Sequence, residues 1–285
     1  MSILLAQPRS GVWEISEGDL LPRTIPVDLP WPCAPAARES LAAVCCAQTG
    51  ECMLLRQRGW EVVSRMPAAA GIAEVILSPC GRYVYQLGSD VDAVHTLCAA
   101  TGELMYAAPV GVFPRSMRLS ADGKSLLAAG GAAAEALLLD APSLACQRVI
   151  HTRHPCFDAD FWQEGLVLVC AAEGNDIHTA VYTLPARALR PRKLTELPGQ
   201  PGGACVCPDG KHLLLSTPDG LMKLSLETGK ILWNRTEWPL CMRVECRGQL
   251  ALISDTLCGR ACLLDHEHPW NQRILGLGAQ ACFLP

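Results

Sequence analysis

The chain is poor in aromatic residues (5%) and in charge (18%), although half of its 285 residues are apolar. A half-apolar chain is not an intrinsically disordered one. No apolar run reaches the roughly 18–20 residues needed to span a bilayer as a helix. The net charge of −4 comes without a basic excess, so no global field draws nucleic acid or an anionic membrane. The nearest approach to a basic cluster, Arg187 to Lys193 in LPARALRPRKL, reads as a solvated loop. The opening MSILLAQPRSG has no basic residue ahead of its short apolar stretch, whereas a secretory leader carries an apolar region of about 7–15 residues. A cytoplasmic protein is expected.

Catalytic and metal signatures are also missing. There is no Cys-x-x-Cys pair, and the closest spacings are Cys45-Cys46, Cys205-x-Cys207 and Cys258-x-x-x-Cys262. Gly-x-Ser-x-Gly does not occur, and GGAAAEA lacks the Lys and Ser/Thr of a phosphate-binding loop. His266-Glu267-His268 lacks the spacing of a zinc peptidase and reads as a surface turn, as do His151 and His154 in HTRHP. No metal and no cofactor are expected.

What the chain has in quantity is glycine (24), proline (21) and cysteine (16). Frequent glycine and proline disfavour long helices and point to many short strands and turns. Most cysteines sit in apolar runs such as LAAVCCA and LVLVCAA, where a reduced thiol behaves as a small hydrophobe.

The glycines fall at a fixed phase. The segments AEVILSPCGRYVYQLGSDVDAVHTLCAATGELMYAAPVG (73–111) and RSMRLSADGKSLLAAGGAAAEALLLDAPSLACQRVI (115–150) align on Gly81 and Gly123. The turn recurs at Gly165, Gly210 and Gly248, with a weaker copy at Gly50. In each unit an apolar strand ends in a turn suited to Asp and Gly, and a second run follows, as at 83–87, 125–129 and 212–216. Two further strands flank turns such as Thr101-Gly102-Glu103 and Thr228-Gly229-Lys230. Four strands in about 40 residues make one propeller blade. On this grammar residues 135–140 are strand despite their alanines.

The ends complete the pattern. SILLAQ, GVWEIS and LLPRTIPVDL fit the second, third and fourth strands of a blade that lacks its first, and GAQACFLP supplies one. Pairing of 280–284 with 2–6 would close the ring and remove two open sheet edges. The sequence therefore predicts an all-β, single-domain, seven-bladed β-propeller. Its blades run over 1–30 with 277–285, then 36–67, 72–108, 113–152, 156–198, 202–237 and 241–275.

LSPCGRYVYQLGS followed by AATGELMYAAPVG resembles the YVTN-type repeat, also seen in lactonase-like and nitrite-reductase-type propellers. The likeness is good over 72–152 and 202–237 and degenerate elsewhere. LSLETGKILWNRTEWP is similar to a quinoprotein-type repeat, which implies that Trp233 packs on the neighbouring blade; a single copy implies no quinone. WD40 repeats match less well, since no Trp-Asp dipeptide closes a blade. The resemblance implies a fold shared by sugar lactonases and binding scaffolds, and so does not fix a function.

The first strand of each blade faces the channel. Counting seven residues back from the turn glycine gives Ala43, Glu74, Ser116, Asp158, Gly203 and Cys241, with Gln280 in the closing strand. Counting five back gives Cys45, Ile76, Arg118, Asp160, Cys205 and Arg243, with Cys282. Charges on an interior strand cost several kcal/mol unless paired or wet. Glu74, Arg118, Asp158, Asp160 and Arg243 are thus the candidate site, with Arg115 and His154 near one mouth. Three readings stay open: a wet channel of mutually neutralising charges, a site for a small anionic ligand, and a lactonase-like site in which a carboxylate or His154 activates water. Trp13, Trp60, Trp233 and Trp270 fit inter-blade packing; Trp31, Trp162 and Trp238 lie near connections and fit the surface, with Trp31 and Trp238 in loops at one rim, where exposed aromatics would favour a protein partner. The expected protein is a monomeric, non-enzymatic binding or scaffold module for another protein or a small anionic ligand. It has no nucleic-acid or membrane partner, and a lactonase-like hydrolase is the alternative.

Overall fold

The computed structural model describes residues 2–7, 11–16, 22–163, 165–174, 176–255, 260–277 and 280–285. The described residues contain strands and turns and no helix. They form seven antiparallel four-stranded sheets arranged as the blades of a seven-bladed β-propeller. Blade 1 joins the two chain ends, with Gln280–Phe283 innermost, then Ser2–Gln7, Gly11–Ser16 and Arg23–Ile25. Blades 2 to 7 cover 32–67, 72–109, 116–151, 156–198, 204–235 and 243–277.

The closure is that expected from the sequence, with Ile3 opposite Phe283, Leu4 opposite Cys282 and Ala6 opposite Gln280. The alanine-rich Glu135–Asp140 is the third strand of its blade. Second strands such as Gly165–Glu173 are buried along almost their whole length, because both faces pack against neighbouring blades. That explains their continuous apolar runs, where a strand with one wet face would alternate. Fourth strands lie at the periphery and expose residues such as Leu104, Met105 and Tyr106.

The turn glycines do what their phase implies. Gly81, Gly123 and Gly210 have φ of 67°, 71° and 65°, a region open to glycine and strained for other residues. Blade 2 departs from the prediction. Its first strand is Pro32–Arg38, and the turn into the second is the tight Glu39-Ser40, with Glu39 at φ 51°. Gly50 instead joins the second and third strands. Ala43 and Cys45 therefore belong to the second strand and do not face the channel.

Of the fifteen described cysteines nine are buried, packed as small apolar residues, while Cys80 and Cys146 are exposed. Cys258 lies outside the described residues. The tryptophans need two corrections. Trp238, expected at a rim, is 1% exposed, its Nε1 donating to Gln272 Oε1 at 2.9 Å. Trp270, expected in packing, is 77% exposed, with the Arg235 guanidinium 4.5 Å from its ring centre. Trp233 meets the next blade as expected, its Nε1 donating to His266 O at 3.1 Å. His266 is itself buried, so only His268 of that pair is a surface residue.

Candidate functional site

The inner strands form two levels of side chains around the channel. At one level stand Ala36, Ile76, Arg118, Asp160, Cys205, Glu245 and Cys282, each paired with the third residue of its blade's second strand. Counting from Gly248 put Arg243 in this place. The Arg247–Leu250 hairpin is shorter than the loops after Leu77 and Leu119, so the frame slides by two and Glu245 takes the position. Arg243 belongs to the other level, with Glu74, Ser116, Asp158 and Gln280. Glu245 is thus a channel residue that the glycine count missed; the length of its hairpin was the available signal.

The carboxylates have a common task. Adjacent inner strands belong to separate sheets and share no ladder, which leaves backbone N–H groups facing the gap between blades, and a buried N–H needs a partner. Glu74 Oε2 accepts from Met117 N at 2.7 Å, clipping blade 3 to blade 4. Asp158 Oδ2 accepts from Ala204 N at 2.7 Å and Asp160 Oδ2 from Val206 N at 2.8 Å, clipping blade 5 to blade 6. Gln280 Oε1 accepts from Ala34 N at 2.6 Å between blades 1 and 2. Ser216 Oγ accepts from Cys241 N at 2.7 Å between blades 6 and 7. Ser116 Oγ donates to Asp158 Oδ1, linking blade 4 to blade 5.

Arg118 is the hub of this girdle. Its Nη1 donates to Glu74 Oε1 at 3.0 Å, and its Nη2 donates to Ala204 O at 3.1 Å and lies 3.6 Å from Asp158 Oδ1. Burial opposes its charge, but Asp158, Glu74 and Asp160 outweigh that and hold its pKa well above the ordinary arginine value. Asp160 shows the reverse balance. Burial pushes its carboxyl up to about 6, against the pull of Arg118 and the Val206 and Phe161 N–H groups.

Glu245 is less well served. The ring encloses it and raises its pKa by desolvation, with Arg243 pulling the other way. Arg243 Nη2 is 3.8 Å from Glu245 Oε2 and 4.0 Å from Glu74 Oε1, and Glu245 Oε2 has no hydrogen-bond partner among the described residues. Arg38, Arg118, Arg243, Asp160 and Glu245 line a cavity of about 410 Å³ at the channel end that carries the first-to-second-strand turns.

At the opposite end Arg115 and Gln280 line a smaller cavity of about 250 Å³. Arg115 stacks 5.6 Å from the Phe157 ring centre, and burial lowers its pKa against the pull of Asp158. The structure thus gathers Glu74, Arg115, Arg118, Asp158, Asp160 and Arg243 along one channel. His154 is not with them: it lines neither cavity.

Fold and site together define a seven-bladed β-propeller with a charge-neutralised channel. No family model and no curated protein matches the chain. Solved structures do: a chain of Kuenenia stuttgartiensis hydrazine synthase superposes with a TM-score of 0.63, at 16% identity, over 89% of this chain and 80% of that one. At that identity the likeness concerns the fold alone, and 1489 solved chains match this chain, so it singles out no chemistry.

Proposed function

We propose that the protein is a non-enzymatic binding module. The observation that carries this reading is the occupancy of its channel carboxylates. Asp158 and Asp160 each accept backbone N–H bonds on both oxygens, and Glu74 divides its two oxygens between Met117 N and Arg118. A general base needs a lone pair free to take a proton from water within hydrogen-bond reach. Each of these oxygens already accepts at least one hydrogen bond, and Met117 N, Ala204 N and Val206 N come from the neighbouring blade, so work as a base would compete with the contacts between blades. Glu245 Oε2, beside Arg243, is the channel carboxylate oxygen without a hydrogen-bond partner among the described residues, so a hydrolase reading is tested first at this pair.

The test compares the full chain with Glu245→Gln and Arg243→Met on a panel of sugar lactones. All three should hydrolyse them at the rate of buffer alone. Turnover above that background which disappears in Glu245→Gln, at an unchanged melting temperature, would replace the binding module with the hydrolase.

A further inference from the structure

Blades 5 and 6 are separated, on the face that carries the first-to-second-strand turns, by a groove of about 680 Å³. It is roomier than the channel cavity of about 410 Å³ on the same face. One wall carries Arg190 and Arg192, from the stretch whose sequence reads as a solvated loop; the other carries Lys211. Glu227 is the one acid in the lining among the described residues. Pro185 and Ala188 on one wall and Leu226 on the other add apolar surface to the same lining. Beside Ala188 in the chain, Leu189 is 91% exposed.

The backbone of both walls is fixed while the cationic ends are left open. Trp162 Nε1 donates to Gly210 O at 2.8 Å and ties one wall to the other. Arg148, from blade 4, donates to Ala188 O at 2.7 Å and holds the loop before Arg190 from outside. Asp209 accepts from Lys211 N at 2.7 Å and from the His212 ring at 2.5 Å, which sets the turn that presents Lys211. Lys193, from the same basic stretch, pairs with Glu196 at 2.7 Å and is not among the residues that line the groove. Arg190, Arg192 and Lys211 have no ion-pair partner among the described residues, in a chain of net charge −4.

The corresponding groove between blades 3 and 4 shows what the ring does by default. It measures about 310 Å³, and its Arg82 and Lys124 are balanced by Asp122 and Asp140. Blades 5 and 6 depart from that in both size and sign.

We propose that the groove between blades 5 and 6 docks an acidic, extended segment of a partner protein that carries a leucine-like side chain between its carboxylates. The proposal rests on the binding-module reading and gives it a surface. Guanidinium groups on one wall suit bidentate pairing with carboxylates, and the ammonium opposite suits a further one. The apolar strip and Leu189 would bury the intervening side chain, and such anchors carry most of the affinity of a docked peptide. A long polyphosphate backbone would leave the groove for a surface of net negative charge. A flat anionic bilayer would not follow a concave wall.

The test is fluorescence anisotropy of the full chain with a labelled peptide of alternating Glu and Leu. Binding should saturate and weaken with added salt. It should fall at least about tenfold, or about 1.4 kcal/mol, in R190E/R192E and when the peptide's Glu residues are replaced by Gln. Lys211→Glu and Leu189→Ala should each weaken it several-fold. Lys124→Glu, in the groove between blades 3 and 4, should leave it unchanged. None of the variants should melt markedly below the parent. Equal affinity for the Gln peptide, or wild-type affinity in R190E/R192E, would overturn the proposal. So would tighter binding of single-stranded DNA or phosphatidylserine vesicles at the same residues. Lactone turnover dependent on Glu245 would sink the binding-module reading instead, and the peptide titration would not register it.

Discussion

In the channel, Arg118 sits among Glu74, Asp158 and Asp160, with almost every donor and acceptor assigned. In the groove between blades 5 and 6, Arg190, Arg192 and Lys211 surround a larger space with a single acid among the described residues. Both regions use charged side chains at blade boundaries. They differ in what would happen if the charge were removed. A buried ion that loses its partner keeps the cost of its own desolvation, so channel charges are tied to stability. An exposed cation without a partner contributes almost nothing to stability, so groove charges are free to serve a ligand. The seven-bladed ring thus separates the residues that hold it together from those available for recognition.

The strongest way to break this comparison is Asp158→Ala. The substitution removes the acceptor for Ala204 N and Ser116 Oγ and one of the counter-charges of Arg118. Breaking a buried pair on one side typically costs about 3–5 kcal/mol. The urea midpoint should fall accordingly, while Asp158→Asn, which retains one acceptor oxygen, should lose less. A midpoint for Asp158→Ala equal to that of the parent would mean that the girdle does not hold the blades.

A smaller effect concerns pH. Asp160 titrates near 6 in the fold and near its ordinary value, about 3.9, when unfolded. A carboxyl whose folded pKa is raised favours the folded state when protonated. Its contribution is complete below about 4 and is lost as pH rises through about 6, and a displacement of this size is worth at most about 3 kcal/mol. Asp160→Asn, fixed in the neutral form, should therefore gain on the parent as pH rises from 4 to 7, read as the difference in melting temperature between the two. A constant difference across that range would mean that Asp160 is ionised throughout.

Much of this architecture is legible in the sequence because turns are local. Gly81, Gly123 and Gly210 mark first-to-second-strand turns that demand positive φ, and the count between them gives the blades. The same reasoning fails where another residue meets that demand. Glu39 takes the left-handed position in blade 2, so a glycine count slips to Gly50. In blade 7 the hairpin is shorter, so the count lands on Arg243 where Glu245 stands. The channel cluster was visible because charges on interior strands are rare. The groove was not. Arg190 and Lys211 are distant in the chain, and only the packing of blade 5 against blade 6 puts their walls face to face.

The least perturbing experiment sharpens the comparison from the other side. Arg190 and Arg192 are exposed and make no ion pair with any described residue. Reversing both charges breaks no ion pair with a described residue and buries nothing. Surface substitutions of this kind fall within about ±0.5 kcal/mol of the parent. Relief of cation–cation repulsion across the groove should place R190E/R192E on the stabilised side of that range, since Lys211 would then face acids. The gain should shrink with added salt, because charges at the surface are screened over about 10 Å at 0.1 M. A loss of stability comparable to that of Asp158→Ala would show that these arginines belong to the scaffold, and the division between channel and groove would fall.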